Sequence, residues 1–96
     1  MKGSIAIQVL PDVKADEVFD AVDKVIEYIS STGLDYEVGP FETTVDGEFS
    51  DLMEIIKKSH EIMIEEGVGV SCFIKTWFHE GESAWTIDDK VAKYRQ

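Results

Sequence analysis

The residues with the most capacity for chemistry fall in one short run, Tyr36-Glu37-Val38-Gly39-Pro40-Phe41-Glu42-Thr43-Thr44-Val45-Asp46-Gly47. Paired hydroxyls, flanking carboxylates and a bend that turns backbone groups outward suit non-covalent recognition of a small polar ligand, in which strand edges read a heterocycle and a hydroxyl adds a further hydrogen bond. Val38 and Val45 favour strands, Gly39-Pro40 marks a bend between them, and Asp46-Gly47 reads as a second turn. Strand propensity alone also accounts for Thr43 and Thr44. Glu37 and Glu42 can serve as acid, base or counter-charge, but acid–base work requires burial or a like-charged neighbour to shift the pKa. In a chain with 20 Asp and Glu, a solvated surface role is the simpler assignment for each.

The remaining reactive side chains are scattered. His60 and His79 each stand beside a glutamate, Glu61 and Glu80, but adjacent residues project to different sides of a helix or strand, and no HxxxH or CxxC spacing occurs. No metal site and no cofactor are expected. Cys72, the single cysteine, alternates with Val70 and Ile74, which predicts a buried, unreactive thiol. Phe73, Trp77, Trp85 and Tyr36 can offer a face to an aromatic or cationic ligand, or can pack an interface.

These groups must be positioned by a small chain. Its 96 residues suit one domain over 1–96, and 44% hydrophobic with 30% charged residues is a globular composition. A net charge of −11 repels phosphate backbones and anionic lipid, so neither nucleic acid nor membrane is an expected partner, and a cationic small molecule is favoured. One cysteine permits no internal disulfide. The first apolar stretch, Ile5 to Leu10, is too short for a signal-peptide core, and the two features together point to the cytoplasm.

Periodicity gives the elements. Ile5, Ile7 and Val9 share one strand face, with Ala6, Gln8 and Leu10 on the other, up to Pro11. From about Lys14 to Thr32, Ala15, Val18, Phe19, Val22, Val25, Ile26 and Ile29 form a helical apolar stripe, with Gly33 past its end. After the strand pair, Ser50 is the expected N-cap of a helix striped by Leu52, Ile55, Ile56, Ser59, Ile62 and Met63 and ended at Gly67. A strand over Val70–Trp77 follows, then a loop containing Gly81 and a short helix with Ile87, Val91 and Tyr94 on one face. The order βαββαβ plus a terminal helix predicts an α+β, ferredoxin-like sandwich: an antiparallel four-stranded sheet with two helices on one face. The other face, with Ala6, Leu10, Phe73 and Trp77, is expected to be open. Burying it in an oligomer removes a sticky surface.

Several runs together resemble the small thiamine-binding protein family: Val9-Leu10-Pro11, Tyr36 to Pro40, Thr43 to Glu48, and Asp89-Lys90-Val91-Ala92-Lys93-Tyr94-Arg95. The resemblance covers nearly the whole chain and implies a ferredoxin-like fold, a homotetramer built as a dimer of dimers, and binding of thiamine or its hydroxymethylpyrimidine portion without a known catalytic reaction. Tyr36, Gly39, Pro40, Thr43 and Thr44 fall on the family's signature, and strand geometry adds Gln8 and Trp77 as ligand-binding positions. The stretch Phe73-Ile74-Lys75-Thr76-Trp77-Phe78 departs from that pattern. The first reading is therefore a non-enzymatic carrier, buffer or sensor. The alternatives are a small oligomeric ferredoxin-like enzyme of monooxygenase or isomerase type, for which no convergent catalytic set is visible, and a ligand-free structural oligomer.

Overall fold

The computed structural model describes residues 1–81 and 85–95. Strand β1 (Lys2–Pro11) leads through a 3-10 turn (Ala15–Glu17) into helix α1 (Val18–Ser31). Strands β2 (Tyr36–Val38) and β3 (Thr43–Glu48) follow, then helix α2 (Phe49–Glu65), strand β4 (Val70–His79) and helix α3 (Ile87–Val91), which ends in a 3-10 turn (Ala92–Tyr94). The sheet order is β2-β3-β1-β4 with every neighbouring pair antiparallel, and this is the ferredoxin-like fold. Among the described residues no helix is long and apolar enough to cross a membrane.

Alternation along β1 produces the layers. Ile5, Ile7 and Val9 join Val45 of β3 against Val25 and Ile29 of α1 and Leu52, Ile55 and Met63 of α2. Each such side chain taken out of water contributes roughly 1.5–3 kcal/mol. Ser59, wholly buried within the α2 stripe, is tolerated because its hydroxyl donates to the Ile55 carbonyl at 2.7 Å. Gly33 and Gly67 stand just past α1 and α2 with φ of 78° and 75°, the left-handed geometry that lets a helix end without a Cβ penalty.

Four local expectations are corrected. Ser50 does not cap α2: the helix starts at Phe49, and the Phe49 N–H donates to the Met1 carbonyl at 3.0 Å, so the strand end beside it supplies the partner that a cap would otherwise give. Asp46-Gly47 is not a turn but the interior of β3, opposite Ser4 and Gly3. A Cβ on Gly47 would make only ordinary contact with Leu34 and Leu52 methyls at 3.4–3.5 Å, whereas one on its partner Gly3 would lie 2.0 Å from the Trp77 carbonyl oxygen, so space demands glycine at Gly3. Phe19 leaves the core stripe and is 81% exposed, because Val25 and Ile29 hold the centre of the face that α1 buries. Tyr94, too, is exposed rather than on a buried stripe with Ile87.

The C-terminal segment with α3 also changes the open face of the sheet. Asp46 Oδ1 accepts the Ser4 hydroxyl at 2.6 Å, and Oδ2 accepts the Ile87 N–H at 2.7 Å. Lys90 Nζ donates to Ser4 Oγ at 3.3 Å and stands 6.0 Å from the centre of the Trp77 ring. Trp85 stacks on Trp77 at 5.2 Å, and Arg95 pairs with Glu37. The C-terminal segment therefore covers the Ser4–Asp46–Trp77 end of that face, which the sequence expectation had left bare. The uncovered part lies toward Gln8, Leu10 and Phe73, with Phe73 66% exposed.

Candidate functional site

A gap in the sheet creates the site. Pairing of β3 with β1 stops at Ile7↔Thr43, whereas β1 continues beside β4 through Gln8↔Phe73, Val9↔Cys72 and Leu10↔Ser71. On its β3 side, the Gln8–Leu10 edge therefore has no strand partner. The chain that would have continued β3 instead turns back over residues 39–42, closed by Gly39 N–H donating to the Glu42 carbonyl at 2.9 Å. Gly39 suits this turn because a Cβ there would stand only 3.0 Å from the Glu42 oxygen.

Between that bend, the free β1 edge and α1 lies a groove of about 320 Å³, at the small end of the range for small-molecule sites. Its floor is apolar, supplied by Ile7 and Val9 from β1 and by Val22 and Ile26 from α1. Thr43 lies on its wall, 7% exposed, and its hydroxyl has no hydrogen-bond partner among the described residues, so the group is available to a ligand. Phe41, on the bend, and Phe19, on α1, also line the groove and are 78% and 81% exposed. Asp23 and Glu42 are its charged lining, with Glu42 Oε1 held by Lys75 Nζ at 3.0 Å.

Of the seven positions expected from the sequence, Gln8, Gly39, Pro40 and Thr43 come together on this groove. The other three lie elsewhere. Thr44, one residue along β3, points to the opposite face, between Ala6 and Glu37. Tyr36 lines a polar hollow with Asp35, Ile87 and Arg95. Trp77 lies under Trp85 and beside His79, whose ring is 5.9 Å away. The period of two in β3 already separates Thr43 from Thr44; the placement of Trp77 depends on α3. Sequence reading missed Phe41 and Asp23 as groove residues and assigned Phe19 to the core. The neighbouring Gly39-Pro40 bend is the one signal for Phe41, because a large apolar side chain on a turn has little core to reach.

The hollow beside Tyr36 and a further one bounded by Lys2, Gly3, Leu34, Asp46 and Trp85 have comparable sizes, about 400 and 330 Å³. Part of their polar lining is already engaged: Asp46 uses both carboxylate oxygens and Glu37 holds Arg95. The groove by contrast combines apolar walls, an available hydroxyl and an unpaired strand edge. Cys72 lies outside it on the helix side of β4. It is half-covered rather than fully buried, and burial raises its thiol pKa, which disfavours the nucleophilic thiolate.

Comparison with known proteins gives consistent relatives. The model of a family described as thiamine-binding protein matches residues 5–95. A UPF0045 protein of Clostridium perfringens is 50% identical over 93 residues, 96% of each chain. Among solved structures, a Thermotoga maritima protein described as a candidate for thiamine biosynthesis or salvage superposes with a TM-score of 0.86 at 35% identity, covering 99% of this chain and 100% of that one. A domain of unknown function from Bacillus cereus gives a TM-score of 0.86 at 34% identity, covering 99% of this chain and 91% of that one.

Proposed function

Because this chain belongs to the thiamine-binding protein family, we propose that it binds thiamine or its hydroxymethylpyrimidine portion in the groove between α1 and the β2–β3 bend, without catalysing a reaction. The observation that carries this reading is the convergence of Gln8, Gly39, Pro40 and Thr43 on one apolar groove with a free strand edge. An aminopyrimidine offers donors and acceptors in a plane, which an unpaired strand edge and a hydroxyl can meet. The thiazolium cation is matched by the exposed rings of Phe19 and Phe41 and by Asp23. The described lining of the groove includes no thiol, imidazole or amine side chain, and the Thr43 hydroxyl has no hydrogen-bonded base among the described residues to activate it, which favours binding over catalysis.

The same proposal places the protein in the cytoplasm as a carrier, buffer or sensor and assembles it as a homotetramer, a dimer of dimers. The uncovered part of the sheet face, with Leu10 and Phe73, and the outer edge of the ten-residue β4 are the surfaces that assembly would hide. Calorimetric titration of ligand-free protein tests the binding. At roughly 0.3–0.5 kcal/mol for each of thiamine's about 18 non-hydrogen atoms, the expected Kd lies between sub-micromolar and about 100 μM. No heat with either thiamine or hydroxymethylpyrimidine refutes the reading.

A further inference from the structure

We propose that the groove selects the unphosphorylated form of its heterocyclic ligand and excludes phosphate esters by charge. The inference rests on the binding function proposed above and adds the chemical form of the ligand. Every charged side chain in the described lining is a carboxylate, Asp23 from α1 and Glu42 from the bend; no Lys, Arg or His is among them. Phosphate sites ordinarily rely on bidentate arginine, a lysine charge or a helix amino terminus.

Each of those sources is closed off in this fold. Lys75 comes within 3.0 Å of Glu42 Oε1, but it is bound to that carboxylate and is mostly exposed, so the pair presents little net charge. The amino end of α1 borders the groove at Val18 and would attract an anion, yet Asp16, Glu17 and Asp20 occupy the turns at that end and offset its dipole. The net charge of −11 adds a repulsive field at longer range. Nothing comparable opposes a cation, for which Phe19 and Phe41 provide aromatic faces at the groove.

The test is calorimetry on the whole chain with thiamine, hydroxymethylpyrimidine, thiamine monophosphate and thiamine diphosphate, each at about 20 mM and about 300 mM salt. Thiamine is expected to bind at least about tenfold more tightly than the monophosphate at low salt, with the diphosphate weaker still, and the gap should shrink at high salt as the carboxylates are screened. In Asp23→Asn and Glu42→Gln the monophosphate should gain relative to thiamine, most in Glu42→Gln, where Lys75 is released. Esters that bind within about twofold of thiamine overturn the selectivity while leaving the binding function intact. A gap unmoved by salt in the wild-type protein also overturns it, since size rather than charge would then be excluding the esters. Failure of thiamine and hydroxymethylpyrimidine alike removes the binding function and the selectivity with it.

Discussion

Thr43 and Thr44 show how much a single position along a strand decides. Thr43 faces the groove with an available hydroxyl and Thr44 faces away. Thr43→Val is therefore expected to weaken thiamine binding by roughly two- to tenfold, the equivalent of one lost hydrogen bond of about 0.5–1.5 kcal/mol, while Thr44→Val leaves the Kd within about twofold. Equal losses in a calorimetric comparison of the two would place the ligand on the other face of β3. Cys72 supports a second prediction. Burial raises its thiol pKa above the ordinary value of 9.0, and Tyr28 is raised likewise, first by burial and then by the charges of Glu54 and Glu61. A group that holds its proton more tightly when folded contributes stability below its unfolded pKa and loses it as the pH rises through the folded value. Thermal stability should accordingly fall above about pH 9, and alkylation of Cys72 at pH 8 should be slower in native than in denatured protein. Native labelling as fast as denatured labelling would contradict this.

At the scale of elements, the strands and both long helices were legible because their apolar residues follow periods of two and of three to four, and burial enforces those periods. What escaped depends on contacts between distant segments. The Ser50 cap was displaced by the Met1 carbonyl, and the Asp46-Gly47 turn signal was overridden by pairing with Ser4 and Gly3. The docking of α3 follows from Asp46 and Lys90 meeting Ser4, which no local pattern reveals. Its start carried a local signal that the sequence reading missed: Thr86 and Asp89 form a capping box, with the Asp89 N–H donating to Thr86 Oγ1 and the Thr86 N–H to Asp89 Oδ2, each at 3.0 Å. Asp46→Ala removes the acceptor of the Ile87 N–H and should loosen α3 while the sheet stays intact. The expected readout is faster amide exchange over residues 87–94 and greater quenching of Trp85 fluorescence by iodide, with little change over β1. Unchanged exchange in that segment would show that stacking of Trp85 on Trp77 holds α3 without Asp46.

At the scale of the whole molecule, the sequence disclosed the fold and the neighbourhood of the groove, because the Gly39-Pro40 bend is local. It did not disclose the groove itself, which arises where β3 stops short of the end of β1 and α1 closes the gap with Phe19, Val22 and Asp23. The proposed assembly uses the same division of the sheet face. Trp77 is covered within its own chain, so Phe73→Glu is the sharper disruption: analytical ultracentrifugation should show the wild type as a tetramer and Phe73→Glu as a smaller species, and a wild-type monomer at micromolar concentration would end the proposed assembly. The central claim, that thiamine binds between α1 and the β2–β3 bend, is tested most directly by a two-dimensional amide NMR titration of labelled protein. The expected shifts concentrate at Gln8 to Leu10, Phe19 to Ile26 and Gly39 to Thr43, whereas shifts confined to Asp35, Tyr36 and Ile87 to Arg95, or none at saturating thiamine, would contradict it.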